Sequence, residues 1–391
     1  MKRGISILLA LGLILGSFAT AFADPATTDI KFEGEEIRLS VEDVVQKMTT
    51  EGTAAETVRL NKLSDEAIAN GYKENYDTLK AMQDYINSLP YNMVIAAGMV
   101  GQGTGVEATI VKMTRDFAKA NLETNHEADL NKLEMSIYQL YYQTLLAQES
   151  LKVTWENYVN KKNTLALVQK KYSLGAASRL EVTTAENMLV AADKDLHDAR
   201  GNWYAARMNF NMQAGYPLLA NTVLTQEISP VAMPSVTLDE AIASALAKRN
   251  EIGSVKFGMD VQELLWSHVQ LTKSPKNSEY QKQNVSYLQM KQASENISTQ
   301  IELGIRADYL TLAKKKQAIG AADSTIALAA SAYHIQQVSY ELGACTLQDL
   351  NDTLANLNAA KLGKVSAVCD YNLAVQQYIF DMGVGTTRVD L

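Results

Sequence analysis

Proline stands only at positions 25, 90, 217, 230, 234 and 275. Two long spans, 91–216 and 276–391, therefore contain no residue that interrupts an α-helix by lacking a backbone N–H. The spans carry the same internal mark. Tyr172-Ser-Leu-Gly-Ala-Ala-Ser-Arg-Leu-Glu-Val in the first matches Tyr340-Glu-Leu-Gly-Ala-Cys-Thr-Leu-Gln-Asp-Leu in the second at an offset of 168, and Gly215 matches Gly383 at the same offset. The beginnings of the halves match too, Leu39-Ser-Val-Glu-Asp-Val-Val against Val236-Thr-Leu-Asp-Glu-Ala-Ile, but at an offset of 197. The first half thus holds 29 extra residues between its two matched segments. Two copies of this length describe a duplicated unit rather than a solenoid.

Helical phase follows each mark. Val182, Ala185, Leu189, Ala192, Leu196, Ala199, Trp203, Ala206 and Phe210 keep three-four spacing. The positions 168 later are Leu350, Thr353, Leu357, Ala360, Lys364, Ala367, Tyr371, Ala374 and Tyr378. This is a coiled-coil seam, interrupted only by Lys364. Leu151, Trp155, Tyr158, Lys162 and Leu165 give the incoming arm the same spacing. Composition agrees: 47% of the residues are apolar, yet only seven are Phe and three Trp, so the apolar content is mostly the Ala, Leu and Val of helices. Each half is predicted to be a long antiparallel helical hairpin whose turn contains Leu-Gly-Ala, the Gly taking the left-handed conformation that ends a helix. An incoming arm of roughly 55 residues would reach ~80 Å. So slender an arm cannot bury its faces within one chain, which calls for partners, most simply copies of itself.

Lys2 and Arg3 precede an apolar core from Ile5 to Leu15, and Ala21-Phe22-Ala23 offers a small-x-small cleavage site. Residues 1–23 read as an export signal, because the apolar run falls short of the ~18 to 20 residues that span a bilayer. The net charge of −8 becomes more negative once Lys2 and Arg3 leave, which argues against a nucleic-acid partner. Cys345 and Cys369 are the two cysteines. Separated by 24 helical steps of ~1.5 Å, they are too far apart to pair, and both are read as free thiols, buried or exposed near a tip.

The chain resembles the TolC family of outer-membrane efflux ducts. The resemblance rests on a short amphipathic helix opening each half, two helical hairpins, and the twice-seen pattern Tyr-x-Leu-Gly-x-x-Ser/Thr followed by an acid. It implies a mainly α fold of duplicated hairpins, forming a coiled-coil α-barrel as a homotrimer, with tips that face a periplasmic adaptor (membrane fusion) protein and an inner-membrane pump. The organisation read from the sequence is a first repeat over 24–219 with its tip near 172–182, a linker over 220–235, and a second repeat over 236–391 with its tip near 340–350.

By the same resemblance Tyr340, Asp349 and Asp352 of the second tip, with Glu181 of the first, line a tunnel constriction. Carboxylates repeated around a narrow tunnel repel one another and favour cations at its mouth. A second reading stands beside this one: Asp349 and Glu181 fall in the first turn of a returning helix and complement its dipole. Leu174, Gly175 and Ala176, with Leu342, Gly343 and Ala344, would be the adaptor-docking tips, or else simple turn punctuation. The family's latch often uses an Arg just after the Gly; Cys345 stands there, which puts a charge-based latch in doubt.

The family's membrane barrel takes four strands from each chain, and a membrane strand needs ~9 to 11 alternating residues. The first half offers at most one hairpin over 91–113, with strands Tyr91–Ala97 and Val106–Lys112 around Gly101–Gly105. The second half, polar over Thr272–Ser298, offers none. The barrel is therefore expected to be reduced or absent. Gly98, Gly101, Gly103 and Gly105 do not follow a nucleotide-loop order. His126, His197, His268 and His334 have no second ligand at metal spacing. Neither a catalytic constellation nor a cofactor is implied, and Tyr138, Tyr141 and Tyr142 read as packing. The expected function is passive, non-enzymatic transport through a duct in the outer membrane and periplasm. The alternative is a barrel-less coiled-coil scaffold of the cell envelope, and membrane association is left open between them.

Overall fold

The computed structural model describes residues 30–99, 105–226 and 228–391; the segment 1–23, expected to be an export signal, lies outside them. In chain order the elements are β1 (Glu33–Leu39), α1 (Val41–Thr50), α2 (Gly52–Ser88), α3 (Tyr91–Ala96), α4 (Val106–Ala120), α5 (Leu122–Ser173), α6 (Arg179–Gln213), β2 (Ala220–Leu224), α7 (Leu238–Lys248), α8 (Asn250–Thr272), α9 (Ser278–Glu341) and α10 (Leu347–Asp381). The two expected hairpins are α5/α6 and α9/α10. Their outgoing arms are both 35 residues long, while α9, at 64 residues, runs ~96 Å.

The duplication is written into the helix starts. Ser40 with Asp43 opens α1, and Thr237 with Glu240 opens α7, each as a reciprocal capping box. Ser178 with Glu181 opens α6, and Thr346 with Asp349 opens α10, in the same way. Each cap satisfies backbone N–H groups that the first turn leaves open, an effect of ~0.5 to 2 kcal/mol. These caps fix where the chain turns. Packing then decides how the hairpins lie.

The seam residues of α6 and α10 are buried or half-buried along both helices. Lys364 reaches sideways to Asp323 at 2.6 Å. One core joins α1, α5 and α6 through Val41, Val44, Tyr141, Tyr142, Leu145 and Phe210, with Cys369 from α10. A second joins α7 to α9 and α10 through Ala241, Ala245, Ile305, Leu312, Tyr371 and Tyr378. The Tyr138, Tyr141 and Tyr142 group packs as read from the sequence, and the Tyr141 hydroxyl donates to the Leu39 carbonyl at 3.1 Å. Both cysteines are free, and burial pushes the Cys369 thiol up to about 11.

Two sequence expectations need correction. The segment 220–235, read as a linker, begins with a strand: its first five residues form β2, which pairs in parallel with β1 (Ile37 opposite Thr222, Leu39 opposite Leu224). Buried Asn211 holds this junction, donating to the carbonyls of Leu218 and Ala220 at 3.0 and 2.9 Å.

The one β-hairpin that the sequence allowed, over 91–113, is helical instead: Tyr91–Ala96 is α3, and Val106–Lys112 falls inside α4; its turn at 100–104 lies outside the described residues. The short alternation Val106-Glu-Ala-Thr-Ile is overridden by a longer three-four spacing. Val106, Ile110, Met113 and Phe117 share one partly buried face, and Phe117 stacks on Phe257 of α8 with ring centroids 4.1 Å apart.

The insertion can now be placed. Helix α2 starts where its counterpart α8 starts, 198 residues earlier, but is 37 residues long against 23. The surplus is therefore the far end of α2 together with α3 and the residues that follow it. Among the described residues, no helix is long and apolar enough to cross a membrane.

Candidate functional site

The two hairpin turns have the same construction. Gly175 and Gly343 adopt φ of +74° and +76°, where a Cβ would be strained. In the first turn the Ala176 N–H returns to the Lys171 carbonyl at 2.8 Å and Gly175 to Tyr172 at 3.0 Å. In the second, Ala344 returns to Ser339 at 2.8 Å and Gly343 to Tyr340 at 3.1 Å. Because this motif closes on backbone atoms, the side chains at the apex have no internal work. Leu174 and Leu342 stand 75% and 80% exposed beside Ala176 and Ala344.

The two tips also hold each other. Val168, Val182 and Ala185 of the first hairpin form one buried cluster with Tyr340, Leu347 and Leu350 of the second. Tyr340 is only 2% exposed, and its hydroxyl donates to Glu181 Oε1 at 3.3 Å. Burial first, and then the Glu181 carboxylate, push the Tyr340 phenol up to about 12, so it remains a donor throughout the neutral range. From the other side the Lys171 ammonium donates to the Tyr340 carbonyl and lies 4.2 Å from the centre of its ring. Tyr340 is thus clasped by a cation and an acid that both belong to the first hairpin.

Of the four residues expected at a constriction, the fold brings Tyr340 and Glu181 into contact. Asp349 serves the cap of α10, and its hydrogen bonds with Thr346 lower its pKa. Asp352, one turn on, accepts from Gln348 Nε2 at 2.7 Å and acts electrostatically on buried Lys161, whose own pKa burial lowers. Cys345 donates through Sγ to the Gln336 carbonyl at 3.4 Å, and burial and Asp349 both raise its pKa. The clasp between hairpins therefore uses Tyr340, Glu181 and Lys171 where a charged residue after the Gly was in question. Lys171 was missed from the sequence because its counterpart 168 residues later is Ser339, so the repeat gives it no mark.

A second polar node, also missed, pins the chain's last residues near the far end of the hairpins. Arg388 pairs with Asp65 at 2.6 Å and with Asp129 at 2.9 Å, the two acids being almost fully buried. Asn125 donates to Asp65 at 3.1 Å and exchanges hydrogen bonds with the backbone of Val389. Among the described residues no group of His, Cys, Asp and Glu is placed to hold a metal ion.

Paired hairpins with capped, clasped tips make this a mainly α fold of duplicated antiparallel hairpins. Residues 114–212 match the family model described as outer membrane efflux protein. The fold is similar to that of CusC, whose structures concern folding and transmembrane channel formation: TM-score 0.63, 11% identity, covering 88% of this chain and 92% of that one. It is likewise similar to a membrane protein from Pseudomonas aeruginosa (TM-score 0.62, 12% identity, 89% and 91% covered). The outer membrane protein VceC from Vibrio cholerae gives TM-score 0.62 at 11% identity, with 89% and 97% covered. No curated protein matches the sequence. Over residues 114–212 the chain is thus similar to the outer membrane efflux protein family, and its overall fold is TolC-like.

Proposed function

We propose that this protein is the passive duct of a trans-envelope export system, assembled from three copies and driven by a separate inner-membrane pump through a periplasmic adaptor. The observation that carries the reading is the duplicated pair of clasped hairpins, on a fold shared along almost the whole chain with outer-membrane channels. The internal repeat supports the assembly. Within one chain Tyr340 reaches Glu181, whereas the repeat-related pair, Tyr172 and Asp349, does not meet: Tyr172 is 44% exposed and Asp349 is on the surface. In a closed ring, Tyr172 of one copy would meet Asp349 of the partner subunit. Arg179, exposed where its counterpart Leu347 is buried, would add a cation beside that acid. The exposed apices Leu174-Gly175-Ala176 and Leu342-Gly343-Ala344 are the surfaces offered to the adaptor.

Light scattering of the purified mature protein is expected to give three times the chain mass at micromolar concentration; a strict monomer would sink the duct. In the ring, Asp349 and Asp352 face their own copies across the tunnel mouth, with Glu181 beside them held by the buried Tyr340. Asp352→Asn, which spares the cap of α10, is expected to tighten the trimer about threefold to tenfold at low salt and hardly at all at high salt. An equal dissociation constant at both salt levels would make Asp352 a helix-face residue and nothing more. The scaffold alternative draws its support from the helices α3 and α4 that occupy the place expected for strands. A trimer that binds no adaptor would favour it.

A further inference from the structure

The 29-residue insertion gives the first repeat an end that the second lacks. From Tyr85 to Val106 no side chain carries a charge, the longest such run after the export signal. Within its described part, Tyr85 is 57% exposed, Tyr91 75%, Met93 55% and Ile95 52%. The corresponding turn of the second repeat is built oppositely, as Lys-Ser-Pro-Lys-Asn-Ser-Glu, and is stitched by an ion pair from Lys273 to Glu279 at 2.9 Å. Leu271, on the last turn of α8 before that stitched turn, is itself 87% exposed. Helix α3 and the Lys273–Glu279 turn lie at the end of the molecule away from the hairpin tips, since α4 packs on α8 through Phe117 and Phe257. Water-exposed tyrosine, methionine and isoleucine at a charge-free tip are costly for an exported protein unless something covers them.

We propose that α3 and the adjoining end of α2, Tyr85–Met99, form a membrane-surface wedge that seats this end of the duct in the lipid interface without spanning it. The charge pattern favours a bilayer over a protein partner. The collar holds one charge of each sign on each helix, Lys80 and Asp84 on α2, Glu107 and Lys112 on α4, so it presents no net field for a charged surface to recognise. Tyr85 and Tyr91 bracket the apolar residues, as amphipathic rings do at the lipid headgroup level. At six residues α3 is far too short to cross a membrane, but its side chains suffice for an insertion of ~5 to 10 Å. The proposal takes from the duct reading only which way the molecule points.

The test is flotation of the purified mature protein, without detergent, with neutral phosphatidylcholine vesicles at low and high salt. The wild type is expected to float equally at both, because nothing in the contact is electrostatic. Tyr91→Ser with Met93→Ser and Ile95→Ser is expected to cut the bound fraction by about tenfold or more, with helical content and oligomer mass unchanged. A second variant, with 89–105 replaced by the charged turn 273–277, is expected to behave alike and guards against a folding defect in the first. Flotation retained in both variants, or absent from the wild type, would overturn the wedge. So would association of two assemblies through the tips that disappears in the variants without lipid. Oligomer mass, read in the same samples, reports separately on the duct.

Discussion

Replacing Arg388 by methionine is expected to lower the stability of the fold by ~3 to 5 kcal/mol at neutral pH, although the residue stands three positions from the end of the chain. Its guanidinium is the shared counter-ion of two nearly buried carboxylates, Asp65 and Asp129. Methionine keeps much of the volume and removes the charge, so the loss measures the stranded acids rather than a cavity. The pH dependence fixes the cause. Burial raises the Asp129 pKa while Arg388 lowers it; without the arginine, burial is opposed mainly by Asn61 and Lys132. A carboxyl whose folded pKa lies above its unfolded value destabilises the fold when ionised, and the penalty disappears as pH falls through the folded pKa. Urea titrations should therefore show the variant's deficit shrinking between neutral and mildly acidic pH. Asp129→Asn in the Arg388→Met background should recover part of it. A small, pH-independent deficit would mean that the tail is held chiefly by Asn125, Asn131 and Asn250.

The parts of this protein that were legible in its sequence are those fixed by local chemistry. Ser178 with Glu181 and Thr346 with Asp349 announce their helix starts within four residues, and Gly175 and Gly343 announce the turns. The seam is visible because a coiled-coil face repeats every turn. What stayed hidden depends on contacts distant along the chain. The Lys171 clasp and the Arg388 node each need partners more than a hundred residues away, and the pairing of β1 with β2 joins segments nearly two hundred apart. The expected hairpin over 91–113 failed for the same reason: Phe117 has its partner in α8, and that contact favours the helical period over the short alternation before it.

The clasp at the tips gives the other large expected effect. Tyr340→Ala removes a ring that is almost fully buried between the hairpins, at a cost of ~3 to 5 kcal/mol if the site does not collapse. Because the ring lies at one end of long arms, the loss should appear first as local opening, read by proteolysis near 168–185 and 336–350 before global unfolding. Tyr340→Phe keeps the packing and removes only the hydroxyl donated to Glu181, an effect of about 1 kcal/mol. Alkaline titration separates the two contributions. Folding raises the phenol from 10.0 to about 12, so the wild type binds that proton more tightly than its unfolded chain does. Its stability from this group is complete below pH 10 and is lost as pH rises toward 12, a loss the phenylalanine variant should lack. If both proteins decline in parallel over that range, the Tyr340 phenol is not buried between the tips; the bond to Glu181 is read instead from the neutral-pH difference between the wild type and Tyr340→Phe. A clasp confirmed by the difference would mean that opening the tips requires breaking a protonated phenol, a carboxylate and an ammonium together. Those three groups join the two halves of one chain, so the tips would part as a unit rather than hairpin by hairpin.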